Sequence, residues 1–327
     1  MNMQTMRRIF ALTLVVSTLL TANAGALFGR KKEVRQPQEG APIAQEISIT
    51  TYKDIPYQTQ FLATDGEGED MTYAVEDQPR KGTVVIEGAD FTYTPNRGAT
   101  GADRFTYTAT DSSGNVSLPA TVTITIEKTR SGVTYADTSD SAAAAAAQHL
   151  AECGIFTGAK IGEQYYFEPY KTVSRSEFLA MVLETAEREV TDVTVTGFCD
   201  DEIIPTWAKA YASAGVSDGI IRGTATADGV AFRGGESITF NEAATVLNRV
   251  LDLGDVDLTV WYADREAVPS WAAQAVGNME AVSVLSAGSF GSAEMEEAVT
   301  RADAAKMLSA ARVLLEGEQP GMFDWLG

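Results

Sequence analysis

The chain has 327 residues, with 45 acidic against 25 basic side chains and a formal net charge of -20 at neutral pH. That surplus of carboxylates argues against a nucleic-acid role, because phosphate contacts need basic surface, and an anionic ligand would require a locally basic site. Two cysteines, Cys153 and Cys199, and one histidine, His149, make no zinc spacing, so neither metal nor cofactor is expected.

Residues 1–24 read as a secretory signal. Arg7 and Arg8 form the charged start, Ile9 to Leu20 the apolar run, and Ala22-Asn23-Ala24 a small-residue cleavage site. The apolar run is too short for a spanning helix. Cleavage removes Arg7 and Arg8 and takes the charge from -20 to -22. No membrane partner is expected after cleavage. Residues 25–40, with Arg30-Lys31-Lys32 and Pro37, read as a polar linker.

Residues 41–128 carry a period-two pattern. Phe91 and Tyr93 alternate with threonines, as do Phe105, Tyr107 and Ala109, and then Val122, Ile124 and Ile126. β-Branched and aromatic residues in that alternation predict half-buried strands. Asp65-Gly66, Lys81-Gly82, Glu87-Gly88 and Ser113-Gly114-Asn115 are read as turns. About seven short strands in this length predict a small β-sandwich. Asp65, Glu67, Glu69, Asp70 and Asp111 crowd two turns; they match no EF-hand loop and are read as solvated acids rather than a Ca²⁺ site. The phrases Ala63-Thr64-Asp65-Gly66, Phe91-Thr92-Tyr93-Thr94-Pro95-Asn96 and Gly101 to Asp111 resemble bacterial immunoglobulin-like and cadherin-like modules. The resemblance implies a spacer or binding platform on a surface protein and leaves open a surface-protein partner for the module.

From residue 129 the pattern becomes helical and repeats three times, over 129–190, 191–254 and 255–315, with a tail at 316–327. An aromatic-x-Asp phrase opens each copy at Asp137, Asp200 and Asp264; the aspartates are 63 and then 64 residues apart. Pro205 and Pro269 suit the first turn of a helix. The stripes Trp207, Tyr211, Gly215 and Trp271, Ala275, Met279 read as mostly core, aligned with Ala142, Ala146 and Leu150. Ser174, Thr239 and Thr300 stand three residues before Glu177, Glu242 and Asp303, which predicts three capping boxes opening the second helices. Arg175 and Arg301 follow two of the caps. A cation there opposes the helix dipole. Either a carboxylate from a neighbouring repeat or an anionic ligand must compensate it. The cysteines read as two small buried residues or as a pair, and His149 as a surface residue. Met322, Phe323, Trp325 and Leu326 in the tail are expected to fold back on the domain.

The three units resemble S-layer homology repeats: aromatic-x-Asp, a Trp-Ala helix, Gly-Ile-x-x-Gly, then Thr-Arg-Ala-Glu before an apolar helix. The resemblance implies an all-α pseudo-threefold helical domain, which after the all-β Ig-like sandwich makes a multidomain chain. It implies binding of pyruvylated secondary cell-wall polysaccharide, or a peptidoglycan-linked glycan, at Arg175, Asp200, Trp207, Arg301, Trp271, Asp264 and Asp137. A carboxylate suits an arginine fork, and a sugar face suits an indole. Phe240 replaces the arginine in repeat two, Ala142 replaces the tryptophan in repeat one, and Ser283 to Ala287 replaces the glycine turn in repeat three. Only Arg175 with Asp200 and Trp207 then forms a complete set. The expected protein is secreted, held at the cell envelope, wall or S-layer, and not an enzyme. The alternative is an envelope protein whose degenerate repeats bind another protein. An enzyme acting on wall polymer lacks a nucleophile–base pair.

Overall fold

The computed structural model describes residues 40–65, 71–139, 141–261, 268–286 and 288–317. The expected signal segment, Glu67, Glu69 and Asp70 of the acidic turn, Asp264 and the apolar tail residues lie outside them. The chain divides into two compact units, residues 1–128 and 129–327.

The first unit is built from β1 (Ile43–Ala44), β2 (Ile47–Tyr52), β3 (Tyr57–Gln60), β4 (Ala63–Thr64), β5 (Thr72–Asp77), β6 (Gly82–Glu87), β7 (Asp90–Pro95), β8 (Gly101–Thr110) and β9 (Ala120–Glu127). Seven of these form two sheets, in orders β2-β9-β8-β5 and β3-β7-β6, and β1 pairs with β4. All pairs are antiparallel except β2 with β9, which run parallel from Ile47 opposite Val122 to Tyr52 opposite Glu127. The alternation of aromatic and threonine residues places Phe91, Tyr93, Phe105, Tyr107, Val122, Ile124 and Ile126 inside. Phe91 meets Phe105 edge to face, centroids 5.4 Å apart, which joins one sheet to the other. The sandwich is therefore as the pattern predicts.

Two details of the first unit differ from the sequence reading. Gly82 is not a turn residue but the first residue of β6. A Cβ there would lie 2.5 Å from the Tyr93 ring, so the glycine permits close approach of an aromatic side chain. Asp111 accepts bonds from the Asn115 N–H at 2.8 Å and the Asn115 Nδ2 at 2.9 Å, which closes its own loop.

The second unit contains α1 (Ala144–Glu152), α2 (Arg175–Thr185), α3 (Thr206–Ser217), α4 (Phe240–Leu251), α5 (Leu258–Trp261), α6 (Ala273–Ala281) and α7 (Arg301–Glu316). It is not all helix. β10 (Ala159–Ile161) pairs with β11 (Gln164–Tyr166), and β12 (Thr224–Thr226) with β13 (Gly229–Ala231), as two short hairpins. Helices α2, α4 and α7 each begin with a complete capping box, including the one closed by Asp303. Just before these boxes the three copies exchange backbone bonds in a ring. The Val173 N–H donates to the Val299 carbonyl at 2.9 Å, Val299 to Ile238 at 2.9 Å, and Ile238 to Val173 at 3.1 Å. One buried cluster, including Phe167, Phe178, Leu183, Ile220, Phe232 and Leu308, fills the unit. Among the described residues no helix is long and apolar enough to cross a membrane.

Cys153 and Cys199 are exposed and unpaired. His149 is half-buried, with its Nδ1 2.7 Å from the Ser309 hydroxyl on α7. Trp207 and Trp271 are 51% and 58% exposed, so the tryptophan ends of the two stripes leave the core while Ala208, Ala212, Val276 and Met279 fill it. Trp271 lies in the turn ahead of α6, because the chain turns at Pro269 before the helix begins at Ala273.

Candidate functional site

The site residues are positioned by two junctions of one design. Asp200 follows the aromatic that opens the second copy. Its carboxylate accepts the Phe232 N–H and the Arg233 N–H, both at 2.8 Å. Asp137 does the same in the first copy, accepting the Phe167 N–H at 2.9 Å and the Glu168 N–H at 2.7 Å. Each carboxylate thus fixes the residue that follows a hairpin and a buried phenylalanine. Glu168 and Arg233 take left-handed backbone angles, φ +57° and +56°. That conformation is unfavourable for residues with a side chain unless the surroundings hold it.

The arginine of a different copy completes each junction. Arg175 donates through Nε to the Phe232 carbonyl at 3.2 Å, and its Nη1 pairs with Glu242. Glu242 is the carboxylate that caps α4, accepting the Thr239 N–H. Arg301 donates through Nη1 to the Phe167 carbonyl at 3.1 Å and to Glu168 at 2.6 Å. Its guanidinium also lies over the Phe156 ring, 5.1 Å from the centroid. Both arginine side chains are largely buried, 16% and 11% exposed. The neighbouring-repeat carboxylate is therefore what offsets the cation at each helix start. The junction of copies two and three has Phe240 instead, with the Phe240 N–H on the Glu297 carbonyl and Asn241 donating to Glu296 at 2.8 Å.

The predicted residues are thus brought together in pairs, Arg175 with Asp200 on the Phe232 peptide and Arg301 with Asp137 on the Phe167 peptide. Trp207 and Trp271 take no part in these contacts; Trp207 meets Tyr211 edge on at 6.4 Å. The Tyr211 hydroxyl donates to Glu184 at 2.7 Å, and that bond, with burial, raises its pKa. Near the start of α3, Asp201 is held down to a pKa of about 2 by bonds from Lys209, at 2.6 Å, and Thr196. Glu242 was read only as a helix cap, and Glu168 and Arg233 were missed by the sequence reading. The signal was available: Phe167 and Phe232 each stand eight residues before the first residue of the following helix, and each precedes a charged residue.

Residues 39–125 match the bacterial Ig domain family. No curated protein matches the sequence. Among solved structures, the chain is similar over 29% of its length to an endo-fucoidan hydrolase from glycoside hydrolase family 107, at 21% identity and a TM-score of 0.24, with 15% of that chain covered. It is similar over 27% to the fibronectin(III)-like modules of Clostridium thermocellum CbhA, at 15% identity and a TM-score of 0.20, covering 47% of that chain. The titin M3 domain is matched over 96% of its length and 26% of this chain, at 10% identity and a TM-score of 0.18. The chain thus spans only a small part of the hydrolase, and these likenesses carry no argument about activity.

Proposed function

We propose that this is a secreted, non-enzymatic envelope protein whose helical unit is a pseudo-threefold S-layer homology domain. It holds the protein to a secondary cell-wall polysaccharide and displays the bacterial Ig-like unit. The observation that supports the reading most is the recurrence of one junction, Asp137–Phe167–Arg301 and Asp200–Phe232–Arg175, around a ring of backbone bonds through Val173, Ile238 and Val299. Three copies of a weak motif can be coincidence; a cyclic exchange of partners between copies requires them to have been shaped together. The exposed indoles of Trp207 and Trp271 offer flat faces to sugar rings.

The test is co-sedimentation of the full chain with wall sacculi of the source organism, before and after chemical removal of the secondary polymer. Pelleting with intact sacculi, and loss of pelleting after removal, is the expected result. Equal pelleting in both, or none in either, overturns the reading and turns attention to protein partners.

A further inference from the structure

We infer that the Ig-like unit carries a docking groove for an acidic peptide segment of a partner protein, on the outer face of the sheet β2-β9-β8-β5. The period-two pattern that buries Asp103, Phe105 and Tyr107 on β8, and Val122 and Ile124 on β9, turns the residues between them outward. Register then sets Arg104 opposite Thr123 and Thr106 opposite Thr121. On the other flank the ladder slips between Val75 and Asp77, a bulge near the end of β5 from which the chain runs through Gln78 to Arg80. An open groove of about 850 Å³ lies here, lined by Asp77, Gln78 and Arg80 from that segment and by the four outward residues of β8 and β9. Wall anchoring by the helical unit neither requires nor supplies this groove.

In a chain of net charge -20 this groove is a local exception. Arg80 and Arg104 are exposed, and among the described residues neither guanidinium enters a hydrogen bond or an ion pair. Of the two carboxylates in its wall, Asp103 is taken up by the Arg80 and Lys81 N–H groups and the Tyr93 hydroxyl. That leaves Asp77 against two cations, a positive balance. The Thr106 oxygen accepts the Asp77 N–H at 3.1 Å, so its own O–H remains to donate. Guanidinium forks and hydroxyls together offer donors to side-chain carboxylates and to peptide carbonyls. The same wall disfavours a sugar. Its aromatic residue is Phe105, which is 1% exposed, so no flat ring face is open for a sugar to stack on. Arginine clusters that read acidic segments are a recurring mode of peptide recognition.

The experiment uses the full chain and short fluorescein-labelled peptides, one alternating glutamate with serine and one alternating glutamine with serine, read by fluorescence anisotropy. The chain's negative charge repels an acidic peptide elsewhere, so binding reports the groove. The glutamate peptide should bind and the glutamine peptide should not, with affinity falling as salt rises. Arg80→Gln and Arg104→Gln should each weaken binding roughly fivefold or more, at an unchanged melting temperature. Arg97→Gln, which alters an exposed arginine outside the groove, should bind as wild type does. A wild type that ignores the glutamate peptide, or holds the glutamine peptide equally well, overturns the inference. So does a loss in Arg97→Gln as large as that in Arg104→Gln, which would mean diffuse charge alone. Carboxymethyl dextran that displaces the peptide at a lower carboxylate concentration than the unlabelled peptide also overturns it, and reassigns the groove to an acidic glycan.

Discussion

Asp103 in the Ig-like unit and Asp200 in the helical unit each accept two consecutive backbone N–H groups, Arg80 and Lys81 in one case, Phe232 and Arg233 in the other. Their surroundings differ. Asp103 is buried, 8% exposed, and also accepts the Tyr93 hydroxyl at 2.9 Å. Asp200 is half-buried and pins a residue that points charge at solvent. The same device therefore serves a closed core in one unit and an open edge in the other. Burial determines which: an interior carboxylate must have every oxygen satisfied, whereas a half-exposed one can leave the residue it pins available for contact.

The largest expected effect follows from the closed case. Asp103→Ala strands the Arg80 and Lys81 N–H groups and the Tyr93 hydroxyl, and should cost about 3 kcal/mol or more, read by denaturant unfolding and by faster exchange of the Arg80 and Lys81 amides. pH supplies a second handle. Burial pushes the Asp103 pKa up, but bonds from Arg80, Lys81, Tyr93 and Arg104 outweigh it and hold the carboxyl below its ordinary 3.8. A folded-state pKa lowered in this way contributes stability above the unfolded value and loses it as pH falls through the lower folded value. Acid should therefore weaken the wild-type Ig-like unit over that window, and Asp103→Ala should flatten this part of the pH dependence. An alanine variant as acid-sensitive as wild type would break the comparison with Asp200.

Asp200→Ala tests the open case. Two N–H groups lose their acceptor where water can partly replace it, so about 1–2 kcal/mol is expected. Trp207, Trp261, Trp271 and Trp325 all lie beyond residue 128, so tryptophan fluorescence reads this loss in the helical unit. If Asp200→Ala costs as much as Asp103→Ala, the half-exposed carboxylate is as essential to folding as the buried one.

The two units also differ in how much the sequence disclosed. Strands β7, β8 and β9 were legible because Phe91, Phe105 and Val122 begin long runs of strict alternation, and burial on one face enforces that period. The capping boxes at Ser174, Thr239 and Thr300 were legible because both halves lie within four residues. The hairpins at Ala159–Ile161 and Thr224–Thr226 were not: three-residue strands are too short to display a period. The Arg175 partner was unreadable for another reason. Glu242 already had a complete local explanation as a cap, and its second bond comes from 67 residues away in a different copy. Local sufficiency concealed a long-range role. The indoles show the reverse error, since Trp207 fits a helical stripe yet is 51% exposed, while its helix neighbours Ala208 and Ala212 are buried.

The smallest effect expected has the opposite sign. Ser176, just after Arg175, is 3% exposed, and its hydroxyl is buried without a hydrogen-bond partner. It packs against Gly234, where an added Cβ would come within 2.2 Å of the hydroxyl oxygen. The residue in the same place in copy three is Ala302, whose N–H donates to Pro169 as the Ser176 N–H donates to Gly234. The backbone bond is thus made in both copies with or without the hydroxyl. Ser176→Ala removes an unsatisfied polar atom and leaves that bond intact, so the helical unit should gain up to about 1 kcal/mol, seen as a later fluorescence transition in denaturant. A loss instead would mean that the hydroxyl is satisfied at the very junction where Arg233 is held, and that this junction is sealed as tightly as the Asp103 core.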